Sequence, residues 1–295
     1  MPRQRLARPF SWVWHPVAVA TREIRQRGLS VPAQYRFSKV PRITIFFWII
    51  KILTTAMGEA FADFMALNYS PVLAGVVGTG LFVVALVLQF RAKRYNAWTY
   101  WFAVSMVAVF GTLAADGMHI KLGISYAVSS AFFAVCLVVV FAAWYLTERT
   151  LSIHSICTRR RELFYWATVV ATFALGTAVG DLTATTLGLG YLASGIVFSV
   201  AILIPGLAYW KFRLNAVVAF WTAYVLTRPL GASYADWMGV AHRYGGLALG
   251  RGHVALYLTI VIVALVGYLA VTRIDVDSTE FAAAEPARAQ ARHRR

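Results

Sequence analysis

Six aspartates occur in the chain, and four of them, Asp63, Asp116, Asp181 and Asp236, stand at one offset inside otherwise apolar sequence. Each follows a glycine by five residues (Gly58, Gly111, Gly176, Gly231) and a tryptophan by fifteen (Trp48, Trp101, Trp166, Trp221). Carboxylates at one level of repeated apolar helices can meet around an axis. Such a cluster binds cations: hard ions such as Mg²⁺, Ca²⁺ or Mn²⁺ through oxygen ligands, or protons passed between carboxyls. Glu59, beside the first repeat glycine, adds another acid where the other copies carry Thr112, Thr177 and Ala232. Lys51 and Arg228 lie in the same segments and can act as ion-pair or gating partners; equally, acids and bases that merely pair would lock a bundle together. His119 and His242 follow two of the aspartates. As ligands they would shift preference towards Mn²⁺, Fe²⁺ or Zn²⁺, although a lone interfacial histidine is more often simply polar.

The elements that must position these groups are membrane helices. Hydrophobic residues make up 60% of the 295, charged residues 14%, and the mean hydropathy is +0.65, more apolar surface than a soluble fold of this size can bury. The apolar runs are long and unbroken, which favours helices over the alternating strands of a barrel. They predict eight spans: 43–67, 71–90, 97–115, 122–146, 163–181, 187–210, 216–236 and 254–271. The expected fold is an all-α polytopic membrane protein. Its membrane domain, 41–272, divides into four parallel helical hairpins at about 43–94, 95–160, 161–212 and 213–272, each with a Trp-Gly-Asp helix and a plainer return helix. A basic segment, 1–40, precedes it and a basic Ala-rich tail, 273–295, expected to be disordered, follows.

Basic residues cluster in every second connection: Arg91, Lys93 and Arg94; Arg149 and Arg159 to Arg161; Lys211 and Arg213. By the positive-inside rule those connections and both termini are cytoplasmic. The formal net charge of +16 then serves orientation and anionic lipid at that face, and no nucleic-acid motif accompanies it. Residues 10–26, with Phe10, Trp12, Trp14 and Ile24 among arginines, suit a helix lying in the membrane interface. Cys136 and Cys157 form no redox or metal motif.

On a helix, Trp48, Glu59 and Asp63 fall within about 60° of one another, with Lys51 about 60° to the other side of Trp48. The rise from Trp to Asp is about 22 Å. Tryptophans near helix ends read first as interface anchors. The small residues around each repeat glycine permit either close helix approach or a helix break; in copy four Pro229 favours a kink whose freed carbonyls would be additional ligands.

The run Trp48-Ile-Ile-Lys-Ile-Leu-Thr-Thr55, then Gly58-Glu59 and Asp63, with its fourfold tryptophan, resembles a family of uncharacterised, membrane-anchored bacterial inner-membrane proteins built from four tandem two-span repeats. The resemblance covers about residues 39–272 and implies eight spans and a multi-pass protein of the bacterial inner membrane. It brings no activity. From the residues, the leading expectation is a transporter, an exporter of a small cation such as a divalent metal ion, coupled or not to protons. The metal enters as substrate, and no cofactor is called for. A membrane enzyme acting on a lipid or quinone and a non-catalytic scaffold or sensor are the alternatives, and a homo-oligomer is compatible with each.

Overall fold

The computed structural model describes residues 38–276. The expected interfacial helix at 10–26 and the tail beyond Val276 lie outside them. The described chain is helical: α1 Ile45–Asn68, α2 Pro71–Arg91, α3 Ala97–Leu122, α4 Tyr126–Glu148, α5 Arg159–Asp181, α6 Tyr191–Ala201, α7 Leu203–Phe212, α8 Ala216–Gly239 and α9 Arg251–Thr272. Polar caps set most of the starts. The side chains of Thr44, Ser70, Asn96, Ser125, Thr158 and Asn215 accept from backbone N–H groups in the first turns of α1 to α5 and α8.

Helices α6 and α7 form one span, interrupted at Ile202 because Pro205 has no N–H to donate to the Ala201 carbonyl. Counting that pair once, seven helices among the described residues are long and apolar enough to cross a membrane. The remaining one, α8, has the length, 24 residues, but carries Arg228, Pro229 and Asp236 and is shielded by its neighbours. This is the architecture of an integral membrane protein.

The repeat explains the packing. The four helices bearing it, α1, α3, α5 and α8, form a closed ring in which each touches the next and α8 returns to α1. Each return helix packs chiefly on the inner helix of the following repeat: α2 on α3, α4 on α5, α6 on α8, and α9 back on α1. Inner and outer helices differ accordingly. In α1, α3 and α5, 61% of the most apolar stretch is buried; in α2, α4, α6–α7 and α9 only 17–28% is, leaving apolar faces suited to lipid.

The repeat glycines hold the ring together and do not break it, since all four lie inside continuous helix. A Cβ at Gly58 would fall 2.9 Å from the Ala108 carbonyl carbon, at Gly111 2.7 Å from Phe173 Cβ, at Gly176 2.9 Å from Pro229 Cδ, and at Gly231 2.8 Å from Thr55 Cβ. Each inner helix therefore crosses the next at its own glycine, in backbone contact that only a missing side chain allows. The helix break that the small residues would permit is absent: α8 runs continuously through Pro229, and the proline ring packs against Gly176.

Two expected ends also move. Helix α3 continues past Ala115 to Leu122, until Gly123 adopts φ 63° and caps it. Helix α5 continues past Asp181 as a π turn, Leu182–Thr186. Asp116 and Asp181 consequently sit inside helical structure rather than at a loop.

Candidate functional site: a carboxylate cavity

Along the axis of the inner ring the side chains form layers. At one end lie the tryptophans and their neighbours. Trp101, Trp166 and Trp221 are buried, as are Phe47, Tyr100, Tyr165 and Tyr224, while Trp48 is half-buried and packs on Phe220. Tyr100 and Tyr165 share a hydrogen bond of 2.5 Å, and Trp221 Nε1 donates to the Leu151 carbonyl at 2.9 Å. Interface anchors were expected. Three of the four, Trp101, Trp166 and Trp221, are instead buried among other helices, and only Trp48 keeps a partly exposed side chain.

The segment 38–44 crosses this end and ties its connections together. Lys39 pairs with Glu162 at 2.5 Å, Gln89 Nε2 donates to the same carboxylate at 3.3 Å, and Arg42 N donates to the Asp275 carbonyl at 2.8 Å. Tyr95 donates its hydroxyl to Asp275 Oδ2. Burial pushes the Asp275 carboxyl above its ordinary pKa, and burial together with Asp275 pushes the Tyr95 hydroxyl well above its own.

Next comes Lys51, 1% exposed, with Nζ 3.9 Å from the Phe173 ring centre and 4.3 Å from that of Tyr224. It was expected beside the acids; among the described residues it makes no ion pair and no side-chain hydrogen bond. One helical face does carry Lys51 and Glu59, but two turns apart, and the Phe173 and Tyr224 rings take up the ammonium instead.

Arg228 occupies the middle layer, fully buried. Its Nη2 lies within hydrogen-bonding distance of Glu59 Oε2 at 2.5 Å, of Thr177 Oγ1 at 2.7 Å and of Thr112 Oγ1, whose own hydroxyl donates to Glu59 Oε2 at 3.0 Å. Glu59, Thr112 and Thr177 are equivalent positions of three repeats, and the fourth carries Ala232, which has no polar side chain to offer. Divergence at one repeat position thus creates a buried, charge-assisted network.

Beyond Arg228 the ring opens into a cavity of about 410 Å³. Asp63, Asp116, Asp181, Asp236 and Glu59 all line it. Glu59, Asp181 and Asp236 can each place one carboxylate oxygen within 4.8 Å of the others. The walls rise to exposed residues, Leu67 and Ile120, at the helix ends, so the cavity opens away from the tryptophans. The arrangement is an acid-lined pocket with a dry, aromatic floor beneath Arg228.

Four residues at the mouth escaped sequence reasoning. Arg251 turns inwards and donates Nε to Asp63 Oδ2 at 2.7 Å. Tyr126, Tyr191 and Lys121 also line the cavity. A signal existed, because Pro71, Tyr126, Tyr191 and Arg251 are the first residues of the four outer spans and all reach the same mouth. The histidines stand apart from the lining. His119 stacks on Tyr126, ring centres 3.8 Å apart, and hydrogen-bonds the Ile124 carbonyl at 2.9 Å; His242 hydrogen-bonds the Gly246 carbonyl at 2.8 Å.

Glu59 and Asp63 have cationic partners in Arg228 and Arg251, whereas Asp116, Asp181 and Asp236 have no ion pair among the described residues. The cavity therefore presents three carboxylates outside any ion pair, with Lys121 and Arg251 also in its lining, and Asp236 is only 6% exposed.

No curated protein and no solved structure matches the chain. A family model matches four times in tandem, over residues 46–95, 99–150, 164–215 and 219–275, each match spanning one inner helix and its return; the chain belongs to the family described as Repeat of Unknown Function (DUF347).

Proposed function

We propose that this protein is a membrane transporter, an exporter of a small cation, and that Asp63, Asp116, Asp181, Asp236 and Glu59 form its binding site. The observation that carries the reading is the set of three carboxylates, Asp116, Asp181 and Asp236, left without ion pairs in one cavity. Carboxylates held at this spacing in a low-dielectric surround repel one another, and a cation relieves that repulsion. Oxygen-only donors suit hard divalent metal ions, the substrate expected from sequence, and serve equally well as acceptors for ammonium N–H groups.

The two ends supply the features of alternating access. The cavity is accessible from one side only, and Phe173, Tyr224 and the tyrosine pair block the other. Transport then requires the aromatic layers to part while Arg228 and Glu59 hold or exchange partners. With the basic connections in the cytoplasm of a bacterial cell, the cavity faces outwards, the state that follows release in an exporter.

The test is flux. Purified protein in liposomes, loaded on one side with a panel of mono- and divalent cations, should move at least one of them, and Asp181→Asn should reduce that movement by about tenfold or more. If no cation moves faster with the protein than without it, the transporter reading is wrong. A scaffold, by contrast, would lose stability but no flux on the same substitution.

A further inference from the structure

We propose that the ligand of this cavity is an organic amine carrying two or three ammonium groups on an aliphatic chain, rather than a bare metal ion. The proposal rests on the cation reading above and narrows it. Size is the first argument. A dehydrated metal ion draws its ligands to about 2.0–2.6 Å and needs a small part of 410 Å³. The cavity is instead in the range of organic-ligand sites, which are mostly apolar with a few placed polar groups. Leu113, Ile120, Tyr126 and Tyr191 supply such walls. Methylene groups pack on the aliphatic side chains, and an ammonium can lie over a tyrosine ring.

Charge distribution is the second. The trio closest to metal-ligand spacing, Glu59, Asp181 and Asp236, includes a carboxylate whose Oε2 is already held by Arg228 at 2.5 Å. A concentrated double charge there would face a guanidinium across its own ligand. Ammonium groups spread along a chain avoid this, each meeting one carboxylate and leaving the Arg228–Glu59 pair in place. Three acids lack ion pairs and Lys121 adds one positive charge to the lining, which leaves about two charges for a ligand's ammonium groups to balance.

Asp236 is the third. Its side chain is 6% exposed, lines the cavity, and has neither a hydrogen bond nor an ion pair to any described residue. Its carboxylate faces the cavity and takes no donor from the described residues, so whatever occupies the cavity supplies its hydrogen bonds. An ammonium group brings N–H donors to it directly.

The test uses the full chain, purified in lipid nanodiscs. Spermidine binding is measured by calorimetry and by the shift in unfolding temperature, against Mg²⁺, Mn²⁺ and an uncharged diol of matching chain length. Spermidine is expected to bind and stabilise the wild type, to bind about tenfold or more weakly to Asp236→Asn and to Tyr191→Ala, and to resist displacement by either metal. The diol should not bind. If Mg²⁺ or Mn²⁺ stabilises the protein and displaces spermidine, the amine proposal is overturned while the cation reading stands. Equal spermidine binding by wild type and Asp236→Asn also overturns it. If neither amine nor metal binds, both fall. Should Asp236→Asn not fold, competition on the wild type and the comparison with the diol still decide.

Discussion

The two ends of the inner ring are built from the same four helices, yet one is dry and filled while the other is charged and open. At the tryptophan end, equivalent positions of successive repeats carry large aromatic side chains, and these fill the axis to the point that Trp101, Trp166, Tyr100 and Tyr165 are all at most 2% exposed. At the aspartate end, equivalent positions carry a short acid preceded by alanine or glycine, and the ring there encloses a cavity. The contrast extends to how charge is held. Lys51 rests on two ring faces, whereas the acids face a cavity. A duplicated scaffold thus keeps its geometry through four glycines and varies its axial chemistry layer by layer. Between the two ends stands one asymmetric network, Arg228 with Glu59, Thr112 and Thr177.

Removing that boundary should have the largest effect. Arg228→Met leaves Glu59, 3% exposed, without its guanidinium partner. Breaking one side of a buried pair costs about 3–5 kcal/mol. Unfolding in detergent should register a loss of that size, and the double variant Glu59→Gln with Arg228→Met should recover most of it, because no charge is then left unpaired. If the single variant loses under about 1 kcal/mol, the pair does not divide the ends as described.

The shared geometry can be broken separately from the axial chemistry. Gly58→Val pushes a side chain into the backbone of α3 beside Ala108, where neither helix has room to move without disturbing the ring. Overpacking of this kind costs about 1–3 kcal/mol. Gly75 is the control: it lies on outer helix α2 with nothing within 4 Å of an added Cβ, so Gly75→Ala should not lower the unfolding midpoint and, by helix propensity, should raise it slightly. Equal effects at the two sites would remove the distinction between ring glycines and the rest.

Sequence made the repeat, the spans and the gathering of the aspartates legible, because each rests on a residue type recurring at a fixed interval. Periodicity places Trp, Gly and Asp of every copy at common levels, and four hairpins of equal hand then bring the levels together. What it leaves open is the rotation of each helix about its axis and the order of neighbours. For that reason Trp101, Trp166 and Trp221 read as interface anchors although they are buried, and Lys51 read as a partner of acids although it lies over the Phe173 and Tyr224 rings. Arg251, Tyr126 and Tyr191 were missed for a different reason. They belong to no internal motif and reach the cavity only because four helix starts converge on one mouth.

The smallest expected effect lies at the closed end, in the clasp between Tyr95 and Asp275. Asp275 is 2% exposed and its Oδ1 has no hydrogen-bond partner, so ionising it in the folded chain is disfavoured and its pKa is raised from the ordinary 3.8. The unfolded chain therefore gives up this proton first as pH rises. The contribution of Asp275 to stability is fullest below the ordinary carboxylate value and declines as pH climbs through the raised one. Asn at this position still offers Tyr95 an oxygen acceptor and does not titrate. Asp275→Asn should therefore be more stable than the wild type at neutral pH, with the difference vanishing as pH falls below the ordinary carboxylate range. Thermal unfolding of both proteins across that range decides the matter. A variant less stable at neutral pH would mean that the ionised clasp strengthens the closed end.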